Sequence, residues 1–146
     1  MKYKVRVVDN SQLYWRNILS GLQLACLPYD EIFTPTEGWW FVAFEERIGP
    51  VGFAGMVKSA QFSDCMYLCR AGVVPDHRGH GLQKKLIQVR LNKARKMGMN
   101  WAVTDTYDNP ASANSLISTG FRIYDPSRPW GMDGATYWRK QLKNAL

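Results

Sequence analysis

This chain of 146 residues holds three cysteines, two histidines and no long apolar run. Each shortage closes a class of explanation. Cys26, Cys65 and Cys69 are odd in number and include no CxxC pair, which argues against a disulfide framework and against a zinc site. They are expected to be free, partly buried thiols of a reducing compartment. No stretch of about 18 apolar residues exists, so no membrane-spanning helix is encoded. The opening residues Met1-Lys2-Tyr3-Lys4-Val5-Arg6 alternate charge with apolar character and lack a secretory core, so the expected location is cytoplasmic. No repeat, low-complexity tract or linker interrupts the chain, and its length suits one domain over 1–146.

Acid is also missing, and in one place only. Between His77 and Thr104 there is no Asp or Glu, while Arg78, Lys84, Lys85, Arg90, Lys93, Arg95 and Lys96 lie there. Outside that window the 12 remaining basic residues balance the 12 acidic ones, so the window carries the whole net charge of +7. An anion-binding surface is therefore confined to one segment.

Apolar content of 46% and charged content of 21% are ordinary for a globular protein. Strands are predicted over Lys2–Val8, Trp39–Glu45, Val51–Lys58, Cys65–Val74, Trp101–Tyr107, Phe121–Tyr124 and Ala135–Leu142. Asp9, Asn10 and Ser11 open a helical segment that Gly21 is expected to break in two, ending near Leu27-Pro28. A second helix runs over Gly79–Met97. At about 100° per residue its apolar face holds Leu82, Leu86, Ile87, Leu91 and Ala94. Arg90 and Lys93 intrude on that face, and their stems are expected to snorkel to solvent. A short helix over Pro110–Thr119 starts on proline and stops at Gly120.

The segment Val73-Val74-Pro75-Asp76-His77-Arg78-Gly79-His80-Gly81-Leu82-Gln83 runs from a strand through a glycine-rich turn into the basic helix. Such a junction aims bare N–H groups and the positive end of a helix dipole at one spot, which suits a phosphate. Gly79 and Gly81 let the backbone approach a pyrophosphate closely. Arg78 offers a charge-assisted contact.

This junction, within that order of elements, resembles the GNAT superfamily of N-acetyltransferases. The family pattern of Arg or Gln, two residues, Gly, one residue, then Gly or Ala is matched by Arg78-Gly79-His80-Gly81-Leu82, with Gln83 at the last position. A second family block is matched by Asn109, Ser112, Gly120 and Phe121, with Leu116 where a tyrosine is frequent. The resemblance implies a three-layer α+β fold. Its mixed, mostly antiparallel sheet has about seven strands, helices on both faces and a splay between strands 4 and 5.

The resemblance also implies acetyl-CoA as co-substrate and direct transfer of its acetyl group to a primary amine, in a small molecule or a protein. Cofactor contacts carried over are Val73 and Val74 (through their backbone, to the pantetheine arm), Arg78, Gly79, His80, Gly81, Leu82, Gln83, Asn109 and Ser112. Asn109 also reads as an ordinary helix cap ahead of Pro110. With Leu116 unable to act as an acid, Tyr124 becomes the first candidate for the catalytic acid, ahead of Tyr107. Asp64 and Asp105 are the candidate bases. Tyr29, Asp30, Glu31 and Trp130 are candidate acceptor contacts, with Glu37 adding to an acidic patch that would attract a cation. A homodimer is in keeping with the family. Two rival readings stand beside this one: a catalytically silent acyl-CoA binder and a nucleic-acid-binding module using the basic helix.

Overall fold

The computed structural model describes residues 2–32 and 35–143, so Met1 and the last three residues of the expected 1–146 domain lie outside it. Seven strands form one sheet in the order β1-β2-β3-β4-β5-β7-β6. They are β1 (Tyr3–Val8), β2 (Trp39–Glu45), β3 (Gly49–Lys58), β4 (Cys65–Val73), β5 (Trp101–Thr106), β6 (Arg122–Ile123) and β7 (Thr136–Gln141). Neighbours run antiparallel except β4 and β5, whose parallel pairing requires the long crossover between them.

Three helices, α1 (Leu13–Cys26), α2 (Leu82–Lys96) and α3 (Pro110–Ser118), make the outer layers. Strand alternation splits the sheet residues between them. Trp40, Val42 and Phe53 face α1 and bury Leu19, Leu22 and Cys26. Phe41, Ala43, Ala54, Met56, Met66 and Leu68 face the other way and bury Leu82, Leu86, Ile87, Leu91 and Ala94 of α2. Each fully buried Leu or Ile side chain contributes about 1.5–3 kcal/mol. The expected three-layer, seven-stranded architecture is what forms.

Two local expectations fail. Gly21 does not divide α1, which runs unbroken through it. The glycine sits on the exposed face with no atom near its missing side chain, so its cost of about 1 kcal/mol is outweighed by the apolar face beside it. Arg90 does not snorkel. It is buried on the sheet side of α2, where its Nε donates to the Leu86 carbonyl (3.1 Å) and its Nη1 to the Gly55 carbonyl (3.2 Å).

That second bond has a cause in the sheet. Along β3 and β4, Ala54 faces Ala71 but Met56 faces Leu68, so Cys69 and Arg70 stand together opposite Gly55. This is a β-bulge, which bends the strand and disturbs the ladder. Arg90 supplies a donor to the carbonyl beside it. Burial lowers the Arg90 pKa to about 10, which leaves the guanidinium charged at neutral pH.

Candidate active site

The bend in β4 opens a seam. β4 and β5 pair only from Cys65 with Trp101 to Tyr67 with Val103. At the next position the contact passes to a side chain, as Thr104 Oγ1 donates to the Leu68 carbonyl at 2.7 Å. Beyond it the strands part. Val74 N–H donates to Val51 on β3 (2.8 Å), so by alternation the Val73 N–H and carbonyl face the open side.

At the end of this seam the chain makes a short 3-10 turn, Pro75–His77, and enters α2. The two glycines lie outside the helix, at φ +83° for Gly79 and +75° for Gly81. This left-handed backbone is where glycine carries no steric penalty. Nothing lies within 4 Å of the position a Cβ would take at either residue. The first helical bond runs from Lys85 N–H to the Gly81 carbonyl, at 3.1 Å. Among the described residues, the N–H groups of Gly79, His80, Gly81, Leu82, Gln83 and Lys84 find no acceptor. Six donors thus converge at the positive end of α2.

Side chains brace this cradle from three directions. Arg78 folds back, and its Nε donates to the Val73 carbonyl at 3.0 Å. His77 is buried, with its Nδ1 3.0 Å from the Tyr3 hydroxyl of β1, and its carbonyl lies 3.3 Å from His80 Nδ1. Gln83 Nε2 donates to Ser112 Oγ at 2.8 Å, tying the start of α2 to the start of α3. Asn109 caps α3 by accepting the Ser112 N–H at 3.1 Å. Gln83, Ser112 and Asn109 therefore form one connected cluster beside the cradle.

On the α1 side of the sheet, past the end of that helix, lies a cleft of about 640 Å³. Residues of β4, β5 and β7 that share a face make its floor: Tyr67, Trp101, Val103 and Arg139. Trp130 and Tyr124 wall it from the segment between β6 and β7. At its seam end the Asp105 Oδ1 accepts from both the Tyr67 hydroxyl and Trp130 Nε1, each at 2.9 Å. Tyr67 and Trp130 meet edge to face at 5.9 Å, and Trp130 meets Tyr137 at 4.6 Å. Burial, then the Asp105 carboxylate, raises the Tyr67 pKa far above its usual value, so its hydroxyl stays protonated.

The family model for the acetyltransferase (GNAT) family matches residues 8–121, which spans the cradle and both blocks of the second half. The chain belongs to the acetyltransferase (GNAT) family. No curated protein matched it. Among solved structures it is similar to yncA from Salmonella typhimurium, determined with its cofactor acetyl-CoA, at 20% identity and a TM-score of 0.72 over 98% of this chain and 95% of that one. A Bacillus subtilis acetyltransferase in complex with CoA is 17% identical, with a TM-score of 0.73 over 97% and 100% of the two chains. The ribosomal-protein-S18-alanine N-acetyltransferase from Escherichia coli is 15% identical, with a TM-score of 0.73 over 99% and 97%. At these identities the likeness is one of fold.

Within this GNAT fold the expected site residues fall into two groups. Val73, Val74, Arg78, Gly79, His80, Gly81, Leu82, Gln83, Asn109 and Ser112 gather at the seam and cradle. Trp130, Tyr124 and Asp64 line the cleft, and Asp105 stands behind Trp130 and Tyr67, outside the lining itself. Leu116 is core, buried against the α2 layer. Tyr124 lies with the Arg139 guanidinium 4.7 Å over its ring, two strands across the sheet from β5. At about 5 Å per strand, it belongs to the cleft wall rather than to the seam. Tyr29, Asp30 and Glu31 do not line the cleft, although Glu31 anchors its loop by accepting Arg70 Nη1 at 2.7 Å. The sequence reading passed over Tyr67, Thr104 and Arg139. The one signal for them was parity: Tyr67, Val103 and Arg139 share a face only once the order β4-β5-β7 and its register are known.

Proposed function

We propose that this protein is an N-acetyltransferase that binds acetyl-CoA along the seam and cradle and acetylates a primary amine seated in the cleft. The observation that carries the reading is the row of six unpaired N–H groups at the N-terminus of α2, directly beyond the open end of β4. They fit a pyrophosphate: two left-handed glycines leave the approach clear, and the helix dipole favours a dianion. The Val73 N–H faces the side where a pantetheine amide would lie. Its carbonyl is held by Arg78, which leaves the outer guanidinium nitrogens for the ligand. Gln83, Ser112 and Asn109 support the cradle from the side, with the Asn109 amide N–H₂ left for the cofactor arm.

When bound, acetyl-CoA supplies an acetyl thioester whose C–S bond breaks as the amine N–C bond forms. The chain's own work is positioning and proton traffic. Asp105 holds Tyr67 and Trp130 through Oδ1, and its carboxylate receives the proton that the acceptor ammonium sheds before the neutral amine attacks; the second amine proton passes to solvent as the amide forms. The thiolate takes a proton from solvent at the open seam, and Tyr124 shapes the cleft wall. Three free thiols, two of them with pKa pushed up to about 11 by burial, suit a reducing compartment and take no part in transfer.

Calorimetric titration with acetyl-CoA, followed by release of CoA thiol in the presence of primary amines, tests the reading. Binding together with amine-dependent thiol release is expected. Binding with no release from any amine would make the protein an acyl-CoA binder. Salt-dependent nucleic-acid binding without acetyl-CoA affinity would overturn the assignment.

A further inference from the structure

The cleft carries more detail than an amine alone needs. Arg139 lies on its floor with the guanidinium between two rings, 5.3 Å from the centre of Trp101 and 4.7 Å from that of Tyr124. Packing over two rings steadies the guanidinium, a group whose N–H fork recognises a planar carboxylate in bidentate fashion. Among the described residues the Arg139 guanidinium donates to no acceptor. At the opposite end, behind Tyr67 and Trp130, stands the half-buried Asp105 carboxylate, a negative charge that suits an ammonium. Gly131 packs close against that end, since a Cβ there would stand 3.2 Å from Asp105 Oδ2. Phe62, Val103 and Trp101 line the apolar part of the cleft.

Resting on the acetyltransferase reading, we propose that the acceptor is a primary amine that also bears a carboxylate, the two separated by an apolar spacer. Register sets the spacing. Asp105 is paired with Tyr137 and Val103 with Arg139, so the backbone positions of the two charges are one strand repeat apart, about 7 Å along the sheet, and the Arg139 guanidinium reaches further away, to Trp101 in the next repeat. That separation favours an acceptor whose amine and carboxylate are joined by several methylenes over one in which a single carbon joins them.

The two remaining acids of the cleft define the competing outcome. Asp64 is held by Asn100 Nδ2 at 3.0 Å, and Asp125 lies on the exposed rim. If they governed the far end, a diamine would be preferred.

The test compares ε-aminocaproate with hexylamine, cadaverine and glycine in two measurements: CoA thiol release, and binding of each amine to the protein by calorimetry without acetyl-CoA. Wild-type protein should favour ε-aminocaproate over hexylamine by tenfold or more in kcat/KM and in affinity, with glycine far behind. In Arg139→Gln that ratio should fall to near one, and Arg139→Lys should restore part of it. Preference for cadaverine or hexylamine, or an Arg139→Gln variant that keeps the ratio, overturns the proposal. The binding measurement decides the acceptor class even if no thiol is released, an outcome that would fault the acetyltransferase reading instead.

Discussion

The cradle and the cleft are built from different parts of the chain. At the cradle, the groups that meet a ligand are backbone N–H groups from one continuous stretch, Gly79 to Lys84, made available by two glycines and a helix start. At the cleft, the groups are side chains from β4, β5, β7 and the segment before β7, brought together by sheet register. The first kind of site tolerates almost any side chain that keeps the conformation. The second depends on each residue. Local sequence therefore governs what the protein binds by backbone, and long-range topology governs which side chains line the cleft.

The sharpest way to break the contrast is to change one cleft atom. Asp105→Asn keeps an oxygen that accepts from Tyr67 and Trp130, so the fold should hold and the acetyl-CoA dissociation constant should stay put. It removes the proton acceptor, and kcat/KM should fall about a hundredfold or more. Stopped thiol-release assays beside thermal melts would check this. An intact rate would move the base elsewhere. At the cradle the equivalent blow must be conformational. Gly81→Val forces a branched side chain into φ +75°, a strain above the roughly 1–2 kcal/mol of an ordinary left-handed residue. Acetyl-CoA affinity should drop at least about tenfold by titration, with amine affinity little changed. Equal loss at both ligands would mean the two regions are not separable.

How much of each region could be read from the chain follows the same division. The cradle was legible because its signal is local: Arg78, Gly79 and Gly81 at fixed spacing after a strand, with Asn109 and Ser112 at fixed spacing after the next. The number of strands, the three layers and the splay followed from element order and the family resemblance, whereas the strand order β5-β7-β6 did not. The bulge at Cys69 and Arg70 was not legible, because an extra residue in a strand leaves no mark of composition. Arg90 was misread for a related reason. Its place on the apolar face was seen, but its acceptor at Gly55 exists only because the bulge disturbs the ladder there. Tyr67 and Arg139 escaped notice because nothing in sequence brings residue 67 beside 105, or 139 beside 101 and 124.

Alkaline pH separates the regions in a milder way. Burial and the neighbouring Asp105 charge raise the folded pKa of Tyr67 above its ordinary value near 10. The unfolded chain then loses the Tyr67 proton first, so this contribution to stability is complete below about pH 10 and fades as pH rises further. Cys26 and Cys65, pushed up to about 11, act in the same sense from about pH 9. The melting temperature should thus decline above pH 9, and past 10 the loss from Tyr67 is opposed by Arg90, whose lowered folded pKa of about 10 acts in the opposite sense. Tyr67→Phe should make the decline past pH 10 shallower and leave the thiol part. An unchanged slope in the variant would mean that the Tyr67 hydroxyl is not held as described.

The smallest expected effect falls on one of the side chains that brace the cradle. Gln83 occupies the position where the family pattern has Gly or Ala, yet its backbone N–H remains among the six unpaired donors. Its side chain points to Ser112 and not into the cradle. Gln83→Ala keeps the N–H and the helix while losing a partly buried hydrogen bond worth about 0.5–1.5 kcal/mol. A fall in melting temperature of a few degrees is expected, with acetyl-CoA affinity within about twofold of the parent. If affinity instead falls tenfold, the bond from α2 to α3 orients the N–H row, and the cradle depends on a distant side chain as the cleft does. If affinity rises, the amide obstructs the ligand, and the family's small residue would be the better fit at this turn.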